Sequence, residues 1–299
     1  VFGARSGVLA RLALRRQRMS AQTKPLLFIV TQRALVTPVP APDYVRSLVF
    51  SVYKGEQLDP AELAGRLSAL GYTRVPKVTV PGEFTLRGEV LDVFTPGESR
   101  ATRIVFDFDT IEQLKAFNTE TQATIAPVDA LLVYPMKEVV WTDELVERLS
   151  ARLDEIDGSV LPDGDDAAAA FSAIPFTDKA RAAQAKLLRE LREKHESEGE
   201  ELFYGVLWDK QYSLLDYVAK ETAVVYVDYD RLSNAEESFE REYSGMYRQA
   251  RQVFPVFAPS AMLYRFSDLV ATHQKRILYR TLHTELDGAP RGTAQGGEG

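Results

Sequence analysis

Few side chains in this sequence are of a kind and spacing that do chemistry. There is no cysteine, which excludes thiolate nucleophiles, disulfides and thiolate metal sites. His195, His273 and His283 are scattered through charged, helix-like segments and read as solvated surface residues, not bases or ligands. Asp107 and Asp109 sit in FDFDT, where two carboxylates could meet a metal or share acid–base work; the local pattern more simply marks a turn. The patterns G-x-x-x-x-G-K-[ST], G-x-S-x-G and H-E-x-x-H are all missing, so the sequence shows no phosphate cradle, nucleophile elbow or zinc helix. One acid stands apart. Asp228 closes AVVYVD, an apolar run that would deliver a carboxylate to a strand end where it could hold Mg²⁺. The second carboxylate that activates water in such sites is replaced by Tyr229, so Asp228 is expected to end a strand in a scaffold without ATPase chemistry.

What remains is cationic. Arg87 interrupts FTLRGEV and Arg103 opens RIVFDF, both strand-like runs. A guanidinium on a sheet face offers a planar fork to a partner's carboxylate, and arginine is enriched at binding hot spots. The alternative is ordinary surface pairing, Arg87 with Glu89 or Asp92 and Arg103 with Asp107, worth at most about 1 kcal/mol.

The elements that would carry these residues fall into an ordered series. A basic helix over 6–18 feeds an apolar run, LLFIV at 26–30, expected to be a buried strand, followed by the Pro-rich connector TPVPAPDY. SLVFSVYKG alternates as a strand. LDPAELAGRLSALGY signals a helix, with Asp59 as cap, Pro60 at the first position, Glu62 completing a capping box and Gly71 as stop. Between 74 and 136, RVPKVTV, GEFTLRGEVLDVF, TRIVFDF, IEQLKAF and ALLVYP read as strands of a compact antiparallel sheet with a helix on it. Helices follow: one capped by Thr142 with Leu145, Leu149, Leu153 and Ile156 on one face, and one over 177–196. PDGDDAAAA (162–170) reads as a linker or a helix start. TAVVYV then reads as a second buried strand, a further helix covers 233–252, and the last dozen residues read as a flexible tail. The expected fold is α/β with an inserted α+β antiparallel-sheet module over 49–136, flanked by 1–48 and 137–286, with a tail over 287–299.

Composition agrees with a globular protein that is not a general nucleic-acid binder: 299 residues with a net charge of -7. The first acid is Asp43, after a run of basic residues from Arg5 to Arg33, and the longest uncharged run, 252–264, is too short to span a membrane. The chain opens on Val, which points to a processed, truncated or engineered start. Arg11, Arg15 and Arg18 lie on one helical face and offer a second hypothesis, direct DNA binding, with an exposed solvated face as the plainer reading.

The stretch from about 47 to 138 resembles the region shared by bacterial transcription-repair coupling factors (the Mfd family) and the excision-repair protein UvrB. The resemblance rests on Arg87-Gly88, Leu91-Asp92, Phe94, Gly97, Arg103, Asp109, Ile111-Glu112, Phe117 and Thr121-Gln122 in order, and extends less strongly over 5–46 and 200–235. The coupling factors fit better, because UvrB keeps an acidic pair at the Asp228 position. The resemblance implies a UvrA-binding domain inserted into a degenerate, RecA-like helicase domain that no longer hydrolyses ATP. It implies that ATP, Mg²⁺, DNA and RNA polymerase belong to parts of the full-length protein outside this chain, that this chain needs no cofactor, and that it works in the cytoplasm. It assigns UvrA contact to Arg87 and Arg103, with Ala at either expected to abolish binding and barely move the melting temperature. A family aromatic contact falls near Asp107–Phe108, where the order Phe106-Asp107-Phe108-Asp109 departs from the family's and leaves open which residue takes that place. The other reading is a UvrB-type repair helicase with ATP-dependent DNA binding.

Overall fold

The structure is a computed structural model that describes residues 2–17, 26–157 and 175–280. Its helices of more than a single turn are α1 (Phe2–Gln17), α2 (Gln32–Val36), α3 (Pro42–Ser47), α4 (Pro60–Ala69), α5 (Asp143–Asp157), α6 (Asp178–Lys194), α7 (Tyr229–Ala250), with α8 (Pro259–Met262) a single turn before α9 (Phe266–Thr272). The strands are β1 (Phe50–Tyr53), β2 (Thr73–Arg74), β3 (Glu83–Arg87), β4 (Val90–Val93), β5 (Ala101–Asp107), β6 (Thr110–Phe117), β7 (Thr124–Pro127), β8 (Ala130–Val133), β9 (Val224–Val227) and β10 (Arg276–Tyr279). The protein is thus mixed α/β, with a six-stranded sheet in the order β2-β3-β4-β5-β6-β7 and two separate strand pairs, β1-β8 and β9-β10.

The six-stranded sheet owes its shape to side-chain alternation. Phe84, Leu91, Val93, Ile104, Phe106, Ile111 and Leu114 point to one face and are buried against Leu63, Ala64 and Leu67 of α4. Each fully buried Leu or Phe contributes about 1.5–3 kcal/mol. Helix α4 begins where Asp59 Oδ1 accepts from the Ala61 amide at 2.6 Å, and ends at Gly71, whose φ of +88° suits glycine. β1 and β8 pair antiparallel, Phe50 opposite Val133, which brings the two ends of this module side by side. A second core joins Leu145, Leu149 and Leu153 of α5 to Leu187, Leu188 and Leu191 of α6 and to Phe203 and Trp208.

Four expectations are corrected. LLFIV is exposed and lies outside any strand, Leu27 and Ile29 being more than 80% accessible. TAVVYV contributes only β9, which pairs parallel with β10 and leaves Val225 and Val227 exposed. An apolar run signals a buried strand only when neighbours cover both faces; among the described residues neither run has them. RVPKVTV keeps only its first residue, Arg74, in the two-residue β2, because Pro76 lacks the amide a ladder needs; Val78 from the loop is buried instead. His273 is buried, with Nε2 2.6 Å from the Thr222 carbonyl, a distance that makes this nitrogen the donor. Arg18, His283, the PDGDDAAAA segment and the expected tail lie outside the described residues.

Candidate functional site

The face of the sheet turned away from α4 carries the arginines. Cross-strand register sets two rows there. One runs Arg87, Val90, Val105, Gln113; the next runs Thr85, Asp92, Arg103, Lys115. Asp107 follows two residues after Val105 and shares this face, by the two-residue period of a strand. Arg87 and Arg103 therefore lie on one face, in adjacent rows with β4 between them.

Their environments differ. Arg87 ends β3 at a hairpin whose two-residue turn starts at Gly88, φ +57°. Its side chain is exposed and makes no ion pair or side-chain hydrogen bond among the described residues. Arg103 is locked. Its Nε and Nη2 donate to the two carboxylate oxygens of Asp92 at 2.7 and 2.8 Å, and Nη2 also donates to Gln122 Oε1 at 3.0 Å. Its guanidinium lies over the Phe117 ring, 4.6 Å from the centroid. The hydrogen bonds to Asp92 hold its proton more firmly than usual, against a smaller opposing effect of partial burial. The Asp92 side chain is only 6% accessible, that of Arg103 24%. The expected pairing with Asp107 does not form; the counter-ion is Asp92, one strand over. Asp92, Arg103, Phe117 and Gln122 all belong to the sequence pattern quoted above, and they converge on one contact.

Phe108 occupies the β5–β6 turn, at the same end of the sheet as Gly88. It is 82% accessible and has a φ of +53°. A bulky side chain in that region costs about 1–2 kcal/mol, and glycine is the usual occupant. An aromatic ring held in solvent at a strained turn tip points to a contact outside the chain. Phe106 is buried in the core, and Asp107 is exposed beside the tip. Arg87, Asp107 and Phe108 thus cluster at one end of the outer face, with Arg103 further along it.

The remaining candidates stand elsewhere. Asp228 follows β9 and takes the N-cap position of α7 at φ +60°, half-buried and without a side-chain capping hydrogen bond. His195 closes α6 at φ +56°, exposed. Among the described residues no group of three His, Cys, Asp or Glu side chains is placed to hold a metal ion. No helix there is long and apolar enough to cross a membrane. On α1, Arg11 donates to Glu98 at 2.5 Å and lies over the Tyr134 ring, so that part of the basic face is engaged within the chain. Sequence reasoning missed Gln122 and the Asp92 counter-ion. The run Thr121-Gln122 was visible, but its meeting with Arg103 needs the register.

Comparison with known proteins places these features. The family described as UvrB interaction domain matches residues 50–139. A transcription-repair-coupling factor of Borreliella burgdorferi is 26% identical over 218 residues, 73% of this chain and 17% of its own length. That of Myxococcus xanthus is 36% identical over 116 residues, 39% of this chain and 10% of its own. The UvrABC system protein B of Kosmotoga olearia is 29% identical over 140 residues, 47% of this chain and 21% of its own. The chain therefore spans about a fifth or less of these relatives. Residues 50–139, which hold the sheet and its arginine-bearing face, match the family described as UvrB interaction domain, in a chain similar over most of its length to transcription-repair-coupling factors.

Proposed function

We propose that this chain recruits UvrA in transcription-coupled nucleotide excision repair, by protein–protein binding and without ATPase activity of its own. The contact surface is the outer face of the six-stranded sheet, with Arg87 and Phe108 as its exposed anchors, Asp107 beside them and Arg103 held at its centre. The observation that carries this reading is the pair at the turn end: an arginine with no ion pair or side-chain hydrogen bond among the described residues and a solvent-held aromatic at a backbone position that favours glycine. Arginine and aromatic residues are the types enriched at interface hot spots.

The surrounding 1–48 and 137–286 are read as a degenerate RecA-like domain, with Asp228 at the position of a lost Walker-B carboxylate. Support for this comes from a parallel strand pair, β9 with β10, whose first strand leads through Asp228 directly into α7. DNA, RNA polymerase, ATP and Mg²⁺ are assigned to other parts of the longer relatives, no cofactor is assigned to this chain, and the site of action is the cytoplasm. A titration of purified UvrA against the chain tests the reading. Saturable binding without nucleotide is expected; no binding at micromolar concentrations, or binding of ATP by the chain itself, overturns it.

A further inference from the structure

The outer face does not stop at Arg103. Beyond Phe117 it opens into a hollow of about 340 Å³ lined by Phe94, Arg100, Phe117, Asn118, Glu120 and Ile125, among others. The hollow lies between the β4–β5 and β6–β7 connections, at the opposite end of the sheet from Phe108. Its apolar floor belongs to a small core of Val78, Phe94, Ala101 and Phe117. Phe117 has two roles there: it floors the hollow and carries the Arg103 guanidinium.

The contents of the hollow suggest what fills it. Arg100 is exposed and has no ion pair or side-chain hydrogen bond among the described residues. Ile125 is 43% accessible. It is left over by a register shift in the β6–β7 pairing, where Ala116 faces Ala126 but Phe117 faces Thr124. That bulge and Pro127 blunt the β7 edge, so the hollow is not a site for an added strand. Asn118 is already used, its Oδ1 accepting from the Glu120 and Thr121 amides at 2.8 and 2.9 Å. With Asp92 neutralising Arg103, the face keeps Arg87, Lys115 and Arg100 without ion pairs among the described residues, against Asp107, Glu120 and Glu83, whose Oε2 already accepts from the Thr79 and Val80 amides and the Thr79 hydroxyl, in a chain whose net charge is -7.

Distance links the hollow to the anchors. Eight residues separate Arg100 from Phe108; at about 3.4 Å per residue that is about 27 Å. A standard interface of about 800 Å² per partner is about 32 Å across. A footprint centred near Arg103 therefore reaches both ends.

Resting on the reading of the face as a UvrA contact, we propose that the hollow is a second anchoring pocket. It takes an apolar side chain from an acidic surface segment of UvrA, packed on Phe94 and Ile125, with a neighbouring carboxylate received by Arg100. The test uses the full chain and purified UvrA, with affinity and melting temperature measured for wild type, Arg87→Ala, Arg100→Glu and Ile125→Ala. Arg100→Glu is expected to weaken binding about tenfold and Ile125→Ala about fivefold, both with unchanged melting because neither side chain is buried. If Arg87→Ala weakens binding while both hollow variants stay within about twofold of wild type, the hollow lies outside the footprint and the proposal falls alone. If the wild-type chain does not bind UvrA, the reading of the face falls and the pocket with it.

Discussion

Replacing Arg103 by alanine strips a nearly buried carboxylate of its counter-ion. Asp92 is 6% accessible and receives two charge-assisted hydrogen bonds from the guanidinium, at 2.7 and 2.8 Å. The variant also loses the contact with Gln122 Oε1 and the stacking on Phe117. Breaking a buried pair from one side costs about 3–5 kcal/mol. Arg103 is partly accessible, so water can reach part of the vacated space, and the expected cost is reduced to about 2–3 kcal/mol. At about 2–4 °C per kcal/mol for a domain of this size, melting should fall by roughly 5–10 °C. The expectation that Ala at Arg103 barely moves the melting temperature is therefore revised. Thermal and urea melts of Arg103→Ala, Asp92→Ala and the double variant provide the assay. The double variant should recover part of the loss, because it leaves no unpaired charge. An Arg103→Ala chain melting within about 1 °C of wild type would refute the claim that Arg103 stabilises the sheet by neutralising Asp92.

Phe108→Gly should raise stability by up to about 1 kcal/mol, by relieving the positive φ, while weakening UvrA binding several-fold; a fall in melting temperature counts against the strain argument. Leu67→Ala removes a fully buried contact between α4 and the sheet and should cost about 3 kcal/mol in a urea melt, whereas a loss under about 1 kcal/mol would show that α4 is not integral to the core. Glu138 is buried, and burial pushes its carboxyl above the usual range, against the pull of Arg5 at 2.9 Å. A raised carboxyl stabilises the fold below its unfolded value of about 4.3 and loses that contribution as pH rises through the folded value. Glu138→Gln should therefore flatten the decline in urea midpoint above about pH 4.3; parallel curves for the two proteins would contradict this.

The sheet module was legible because its signals are local. Asp59, Pro60 and Gly71 bracket α4, and alternation in GEFTLRGEVLDVF and RIVFDF sets which residues enter the core. Register was not legible. Asp92 and Arg103 meet only because Asp92 faces Arg103 across the β4–β5 ladder, and Gln122 joins them from a turn beyond β6. Burial of LLFIV and TAVVYV was misjudged because hydrophobicity states what a strand would gain from cover, not whether cover exists. The pairing of β9 with β10, about fifty residues apart, has no local signal. The hollow was invisible for the same reason as the counter-ion: two connections separated by the β5–β6 hairpin form it together.

The central claim is that an exposed arginine on the outer sheet face binds UvrA, and Arg87 tests it most directly because it has no structural duty. Titrating UvrA into wild-type and Arg87→Ala chains at matched salt should show about a tenfold or greater loss of affinity, with melting temperatures agreeing within about 1 °C. Equal affinities for the two chains, or a loss of binding accompanied by an equal loss of folding, would contradict the account.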